Sequence, residues 1–294
     1  MSRVRLAFLG TPAAAVTPLR ALVEAGHEVA VVVSRPDRRR RRGRGSEPSP
    51  VKAAALELGL AVETRPEDLV GSDVELGVVV AYGALIRPGV LDQVRMVNLH
   101  FSLLPRWRGA APVERAILAG DSVTGVCLMA LDQGLDTGPV YDRREVPIGD
   151  EESAEALRHQ LVEVGTEMLV ERLADGMASL GTPLPQEGEA TYAAKLSPED
   201  RRLEWSRSAA ELARVVRCGR AWTTVAGRRL LVLRAGPVAG EADGGQPGSL
   251  RGASVLTGSG RLELVEVAGE GRVPMPAEAW LRGARLGDAA VLGT

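Results

Sequence analysis

Strand-like and helix-like segments alternate along the first half of the chain. Apolar or strand-like runs occupy residues 4–9, 29–33, 76–81, 96–100, 123–131 and 140–146. Helical composition is found between them, at residues 12–25, 49–60 and 110–119. Continuous apolar strands separated by helices are typical of a parallel sheet that is covered on both faces. We therefore predict an α/β fold with a Rossmann-like, open, mostly parallel sheet, whose ligands gather at the carboxyl ends of the strands.

The pattern changes after residue 150. A long helix is predicted over residues 153–180, followed by a polar stretch that resembles a linker. A short helix at 208–217 then precedes β-like runs at residues 223–225, 230–234, 254–257 and 262–267. Gly-rich turns divide these runs, which indicates a small C-terminal β-barrel. The predicted division is a first domain at 1–185, a linker at 186–206 and a second domain at 207–294.

The composition indicates an ordinary globular protein, with 45% hydrophobic and 25% charged residues. No apolar run approaches the length of a membrane span, so we expect no membrane association. The N-terminus lacks the layout of a signal peptide. Cys127 and Cys218 lie in unrelated segments without metal-ligand spacing, so a cytoplasmic, metal-free protein is expected.

The distribution of charge is more informative than the formal net charge of −2. From residue 206 onward, 12 arginines face 8 acidic residues, whereas the preceding part is net negative. This asymmetry is compatible with a C-terminal part that binds a polyanion. Ordinary surface charge is the alternative.

Asn98 and His100 lie two residues apart at the end of a predicted strand, so both side chains are expected on one face. An amide donor beside an imidazole suits the stabilisation of a developing oxyanion and the movement of a proton. Asp136, between Gly134 and Gly138 in DQGLDTGP, could orient the imidazole if it lies at the same sheet edge. A polar pair that caps the strand and an Asx turn are the purely structural alternatives.

Two neighbouring segments are candidate binding elements. The loop SLLP, comprising Ser102, Leu103, Leu104 and Pro105, could form the wall of a pocket for a flat heterocycle, or be a plain connection. RWRG at 106–109 could bind an anion or stack on a base, or hold an exposed arginine pair beside a packed Trp. No GxGxxG or Walker motif is present, which disfavours a nicotinamide enzyme.

An arginine segment follows the second predicted strand, at residues 38–44. It contains Arg38, Arg39, Arg40, Arg41, Arg42 and Arg44. Adjacent arginines repel one another, so we expect a mobile loop that becomes ordered on RNA phosphates. A solvated loop without a partner is the alternative.

Together these motifs resemble the 10-formyltetrahydrofolate-dependent formyltransferases. The resemblance is carried by Asn98, His100, SLLP, RWRGAAP at 106–112 and Asp136 in DQGLDTGP. Other motifs point to the branch that formylates methionyl-tRNA: FLGTP at 8–12, SRPDR and SPVK within 34–52, VVAYGALI at 79–86, TYAAKLSPEDRRLEWSRSAAEL at 191–212 and LRGARLGD at 281–288. The resemblance covers essentially the whole chain.

The resemblance implies transfer of a formyl group from 10-formyltetrahydrofolate to the α-amine of methionyl initiator tRNA by a monomeric enzyme without a metal. Asn98 and His100 would hold the formyl oxygen, and Asp136 would orient His100 and help to relay protons. The folate would lie along Ser102–Pro105 and beside Val80, Tyr82, Gly83 and Leu85. The arginine segment would reach the tRNA acceptor end, and the C-terminal domain would be an OB-like β-barrel that binds tRNA.

Two departures from the family pattern are evident. The loop after the second strand usually mixes Lys, Gly and Arg, but here it is almost entirely Arg, which binds phosphate differently from Lys. CGRAWTTVAGRR at 218–229 lacks the prolines that often precede the C-terminal domain. These departures concern tRNA contacts and the entry into the C-terminal domain, not the chemistry. Three alternative functions stay open beside the leading one: a formyltransferase for a small amine such as an amino sugar nucleotide, a folate deformylase, and a catalytically silent RNA-binding protein.

Overall fold

The computed structural model describes residues 3–39, 46–238, 245–284, 286 and 290–294. The chain forms two compact units. The first contains Met1–Val113, Val123–Pro147 and Arg158–Ala194, and the second contains Glu114–Ser122, Ile148–Leu157 and Lys195–Thr294. Two helical segments, at residues 112–119 and 154–173, thus belong partly to the second unit. The domain limits expected from the sequence, 1–185, 186–206 and 207–294, remain a prediction.

The first unit is built on a seven-stranded mixed sheet. The strands of this unit are, in chain order, β1 (Arg5–Gly10), β2 (Glu28–Val33), β3 (Arg38–Arg39), β4 (Ser46–Glu47), β5 (Val62–Glu63), β6 (Leu76–Val80), β7 (Met96–His100), β8 (Arg108–Gly109), β9 (Val123–Ala130), β10 (Val140–Pro147) and β11 (Tyr192–Ala193). Four of them, the short strands β3, β4, β8 and β11, lie outside the large sheet. The order in the large sheet is β10-β9-β7-β6-β1-β2-β5. The strands from β7 to β5 are parallel, whereas β9 runs antiparallel to β7 and β10. The predicted α/β, mostly parallel sheet is confirmed.

The helices of the first unit are α1 (Val16–Glu24), α2 (Pro50–Glu57), α3 (Pro88–Leu91) and most of α5 (Ala154–Leu173), whereas α4 (Pro112–Ala119) lies mostly in the second unit. The four of them that the sequence predicted, α1, α2, α4 and α5, are all shorter than expected, most of all α1 and α5. Pro12 is extended and is followed by a 3₁₀ turn, which delays the start of α1. Gly176, with φ of +80°, follows the end of α5 in the left-handed region that glycine adopts readily, so the helix ends before the predicted stop at 181.

The central parallel strands β1 and β6 are apolar for nearly their whole length because both faces of the sheet are covered there. In β1, consecutive residues from Leu6 to Leu9 are fully buried, and β6 is buried throughout. Alternate residues of β1 and β6 pack into one cluster, which contains Ala7, Leu9 and Val79. Burial on both faces therefore explains the unbroken apolar runs of the sequence.

The first part of the segment predicted as a polar linker, residues 186–194, belongs to the first unit. Strand β11 pairs in parallel with β8, and the amide of Arg108 donates to the carbonyl of Thr191 at 2.8 Å. Gly109 has φ of +120°, and a Cβ there would lie 2.9 Å from the carbonyl oxygen of Ala193. This close approach requires glycine. A two-residue strand held by backbone hydrogen bonds leaves no hydrophobic periodicity, so the sequence reading missed it.

The second unit is an antiparallel β structure. Its strands are β12 (Ala221–Val225), β13 (Arg228–Val238), β14 (Leu250–Arg251), β15 (Ser254–Leu256), β16 (Arg261–Gly269) and β17 (Met275–Pro276). They follow the order β12-β13-β16-β15-β14, with β17 on β16, and are accompanied by α6 (Ala209–Arg217) and α7 (Ala277–Ala284). Ser208 and Glu211 form a capping box at the start of α6. This architecture is consistent with the OB-like domain expected from the sequence.

In the described parts of the chain, we find no helix with the length and apolar character needed to span a membrane.

Candidate active site

A cleft of about 520 Å³ opens beside the carboxyl ends of β6 and β7. This is the edge at which ligands of open α/β sheets are expected. Its lining comes from the ends of these strands and three following segments, and comprises Val79, Ala81–Ile86, Asn98–Phe101, Gly109, Ala110, Pro112, Met129 and Leu131–Asp136. Asn98, His100 and Asp136 are therefore brought together in one cleft, as are the predicted Tyr82, Gly83 and Leu85.

Asn98 presents its side-chain amide to the cleft from the middle of β7. The strand alternates its side chains, so Asn98 and His100 share a face. Asn98 is half-buried and pairs with Met129 across the sheet. The side-chain amide of Asn98 makes no hydrogen bond to any residue in the described part of the chain. A half-buried amide of this kind is available to a ligand in the cleft.

His100 is almost fully buried between two oxygen acceptors. Its Nε2 lies 3.0 Å from the carbonyl oxygen of Trp107, and its Nδ1 lies 3.6 Å from Oδ2 of Asp136. The second distance is beyond a normal hydrogen bond. A protonated imidazole would have an acceptor at each nitrogen. The side chains of His100 and Asp136 are only 6% and 18% exposed, so their interaction is weakly screened by solvent.

Asp136 reaches His100 by a different route from the expected one. The sequence interpretation placed it at the same sheet edge because it follows a strand, but β9 is antiparallel to β7. Ala130, at the end of β9, pairs with Val97 near the start of β7. The loop 131–139 must therefore return along the sheet before Asp136 approaches His100. There the Asp136 carboxylate accepts a hydrogen bond of 2.8 Å from the backbone amide of Gly109.

Gln186 is a residue of the site region that the sequence reading missed. Its Nε2 donates to the carbonyl oxygens of Asp136 and Gly138, each at 2.8 Å. Its Oε1 accepts from Nε and Nη2 of Arg108 at 3.1 and 2.7 Å. Gln186 lies in a polar stretch without periodicity. Its partner Asp136 is 50 positions away in the chain, and a single sequence carries no signal for such a contact.

The segment after β6 forms one wall of the cleft and is held from behind. The hydroxyl of Thr11 donates to the carbonyl of Tyr82 at 2.9 Å, and Arg35 donates to the carbonyl of Gly83 at 2.7 Å. Burial raises the pKa of the Tyr82 phenol, which therefore stays protonated. Val80 differs from its predicted neighbours, since it is fully buried in the sheet and does not line the cleft.

The loop Ser102–Pro105 does not line the cleft either. Ser102 is buried, and its hydroxyl donates to the carbonyl of Arg106 at 2.6 Å. Leu104 packs with Cys127 and Met129 on the sheet. Because Met129 lines the cleft, this loop supports the wall from behind. Burial also raises the pKa of the Cys127 thiol to about 11, so the thiol remains neutral at ordinary pH.

The RWRG segment is engaged within the first unit. The guanidinium of Arg106 stacks over the Trp107 ring, 4.5 Å from its centroid. The amide of Trp107 donates to Oγ1 of Thr191 at 2.9 Å. Arg108 is bonded to Gln186, as described above. The structure thus gives Arg108 an internal partner where the sequence offered anion binding as one reading.

Only the start of the arginine segment belongs to the described backbone. Arg38 and Arg39 form β3, which pairs antiparallel with β4. Arg40, Arg41, Arg42 and Arg44 lie outside the described residues, so their predicted role stays a prediction. As for metals, the described residues contain no group of three or more His, Cys, Asp or Glu side chains arranged to hold an ion.

Comparison with known families identifies both parts of the chain. The family described as "Formyl transferase" matches residues 4–173, and "Formyl transferase, C-terminal domain" matches residues 195–285. Among solved structures, an N-formyltransferase from Helicobacter canadensis in complex with folinic acid and dTDP-3-aminofucose is similar with a TM-score of 0.68 and 14% identity, over 89% of this chain and 99% of that one. HypX from Aquifex aeolicus in complex with tetrahydrofolic acid gives 0.67 and 21%, over 95% and 47%. At these identities the likeness concerns the fold.

Curated relatives are much more similar in sequence. The methionyl-tRNA formyltransferase of Dinoroseobacter shibae is 43% identical, over 96% of this chain and 98% of the relative. The methionyl-tRNA formyltransferase of Clavibacter sepedonicus is 42% identical, over 97% and 99%. Such identity over nearly the full length of both chains confirms the resemblance drawn from the motifs. The chain therefore belongs to the methionyl-tRNA formyltransferase family.

Proposed function

We propose that this chain transfers the formyl group of 10-formyltetrahydrofolate to the α-amino group of methionyl initiator tRNA, with Asn98, His100 and Asp136 as the catalytic residues. The observation that carries the proposal is the convergence of these three side chains in one cleft of a formyltransferase fold. In the bound state, the folate supplies an activated formyl carbon to the attacking amine.

Asn98 and His100 are proposed to stabilise the negative charge that develops on the formyl oxygen during attack. The amide of Asn98 offers N–H donors to the cleft from a rigid strand. His100 adds an imidazole that is buried and held at Nε2 by the carbonyl of Trp107. Donors fixed before the reaction in a site with little water stabilise such charge more strongly than water does.

Asp136 is proposed to act on His100 and on the proton released by the amine. Its carboxylate lies 3.6 Å from Nδ1 of His100, close enough for the two groups to interact, and a water bound in the cleft can contact both of them. The amide of Gly109 fixes the carboxylate in place. A positioned carboxylate can accept the amine proton through such a water.

The cleft suits a folate in size and chemistry. A volume of about 520 Å³ lies within the range of small-ligand sites. Tyr82, Gly83 and Leu85 would contact the ring system, and backbone groups of this wall would pair with its polar edge. Ser102–Pro105 would act indirectly, because Leu104 supports Met129 from behind.

The tRNA is proposed to be engaged by the arginine segment and by residues 206–294, which have the positive balance noted above. Phosphate contacts made by Arg are strong and can be bidentate. We further propose that the enzyme selects the initiator tRNA, acts as a monomer and works in the cytoplasm.

The decisive experiment is a formylation assay. The purified protein is incubated with 10-formyltetrahydrofolate and with methionine-charged initiator or elongator tRNA in parallel, and formylmethionine is measured. Rapid formylation of the initiator alone supports the proposal. Formylation of a small amine, or release of formate without transfer to either tRNA, would replace it with the small-amine or deformylase alternative. RNA binding without any formyl transfer, unaffected by His100→Ala, would indicate a silent RNA-binding protein.

A further inference from the structure

We propose that Gln186 is a positioning residue for formyl transfer. Its side-chain amide fixes the loop that carries Asp136 relative to strand β8, whose residue Gly109 donates a hydrogen bond to the Asp136 carboxylate. The inference rests on the catalytic role proposed for Asp136. Gln186 itself does not line the cleft.

The amide of Gln186 is hydrogen-bonded at both ends. Its two N–H groups are used by the carbonyls of Asp136 and Gly138, and its oxygen accepts two N–H groups of the Arg108 guanidinium. The orientation of the amide follows from these partners, since a carbonyl cannot face two carbonyls and an NH₂ cannot face a guanidinium. A half-buried amide with four defined bonds is a rigid connection.

The connection joins the two supports of the catalytic carboxylate. On one side, Gln186 holds the main chain of Asp136. On the other, it holds Arg108, whose neighbour Gly109 donates its backbone amide to the Asp136 carboxylate. A shift of the loop relative to β8 would therefore change the separation of Asp136 Oδ2 from His100 Nδ1.

The loop needs an external restraint because its local conformation is uncommon. Asp136 has φ of +51°, in the left-handed region that non-glycine residues seldom occupy. At Gly138, a Cβ would lie 1.9 Å from the carbonyl oxygen of Ala130, so the chain passes tightly against β9. Asp132 closes the loop on itself, since it accepts from the amide of Gly134 and the hydroxyl of Thr137. Gln186 then ties this closed loop to a different part of the first unit.

Substitution of Gln186 separates positioning from binding. Gln186→Met keeps the approximate volume but removes all four hydrogen bonds. Gln186→Glu retains an acceptor for Arg108 but cannot donate to the two loop carbonyls. Displacement of a catalytic group by about 1 Å can reduce the rate about 100-fold. For both variants we expect kcat to fall by roughly 10- to 100-fold, whereas the KM for the folate donor and for the charged tRNA changes less than about two-fold.

The matched control is Gln160→Met, on the exposed surface of α5 in a part assigned to the first unit. It should retain the parental kcat. Parental kcat in Gln186→Met, or equal increases in both KM values without a loss of kcat, would overturn the inference. If circular dichroism shows that Gln186→Met does not fold, Gln186→Glu and Arg108→Met take its place. The same decrease in kcat is expected for them, and parental kcat would again overturn the inference.

A double-mutant comparison distinguishes this inference from the role proposed for Asp136. Asp136→Asn alone should lower kcat strongly, and parental turnover in that variant would remove Asp136 from the mechanism. In the Asp136→Asn background, Gln186→Met should lower kcat by less than about two-fold further, because both changes act through one group. A full additional loss would show that Gln186 acts independently of Asp136, and the inference would be wrong.

Discussion

Asp37 and Lys52, which lie on either side of the arginine segment in the sequence, form an ion pair. Nζ of Lys52 donates to both carboxylate oxygens of Asp37, at 2.9 and 3.0 Å. The hydroxyls of Ser34 and Ser49 make a second contact between the same two stretches, at 2.6 Å. Ser49 also caps α2. The motifs SRPDR and SPVK therefore anchor both ends of the arginine segment to the first unit.

We expect Lys52→Met to weaken the use of tRNA without changing the chemical step. The pair is partly exposed, so its loss should cost at most about 1 kcal/mol of stability. Without this ion pair, the ends of the arginine segment are held less firmly. The KM for charged tRNA should therefore rise several-fold, whereas kcat and the KM for the folate donor stay at parental values. Steady-state kinetics with each substrate varied in turn measures this.

The control for Lys52→Met is Arg20→Met, which removes the ion pair between Arg20 and Glu57, also in the first unit. It should leave both KM values unchanged. An unchanged KM for tRNA in Lys52→Met would contradict the anchoring role.

Neutralisation of Arg38, Arg39, Arg40, Arg41 and Arg42 together should weaken tRNA binding and flatten its dependence on salt. Each phosphate contact contributes about 0.7 to 0.9 to the slope of log K against log salt concentration, because counterions are released on binding. Binding is measured at a series of salt concentrations with uncharged tRNA. A parental slope in the variant would eliminate this segment as a phosphate-binding arm.

Asn98→Ala should lower kcat by about 10²- to 10³-fold, the range observed when one oxyanion-hole donor is removed. The fold should tolerate the change, because the Asn98 amide has no hydrogen-bond partner in the described part of the chain that would be left unsatisfied. Single-turnover formylation and the melting temperature measured together test both expectations. Near-parental turnover would exclude Asn98 from the mechanism.

His27 makes the stability of the protein dependent on pH. It is buried, its Nδ1 accepts from the amide of Val4 at 3.4 Å, and its Nε2 has no partner among the described residues. Burial lowers the pKa of His27 below its ordinary value of 6.5. Because the folded state disfavours the charged imidazole, this contribution to stability is complete above about pH 6.5 and declines as the pH falls below it.

Urea unfolding at pH 7.5 and pH 5.5 checks this expectation. His27→Leu should lose less stability between the two pH values than the parental protein. His159→Leu, a change on the exposed surface of α5, should behave like the parental protein. An equal pH-dependent loss in His27→Leu and the parent would assign the effect to other groups.

The amino-acid sequence is enough to predict the class of fold, the family and the pairing of Asn98 with His100 on one strand face. Residues Leu6–Gly10 of β1 and the whole of β6 are apolar because both faces are buried, and such a run is visible without knowledge of its neighbours. The shared face of Asn98 and His100 follows in the same way from the two-residue repeat of a strand. These features are local, so neighbouring residues are enough to predict them.

The assembly of the rest of the site depends on contacts that exist only in the folded chain. The antiparallel direction of β9, the inward packing of Leu104 and the pairing of β8 with β11 all depend on partners distant in sequence. Gln186 and Asp136 are 50 positions apart, and their contact joins a side chain to a backbone carbonyl. Because every residue has a backbone carbonyl, a single sequence does not show which carbonyl the Gln186 side chain binds. Long-range polar contacts of this kind become visible only when the fold brings the segments together.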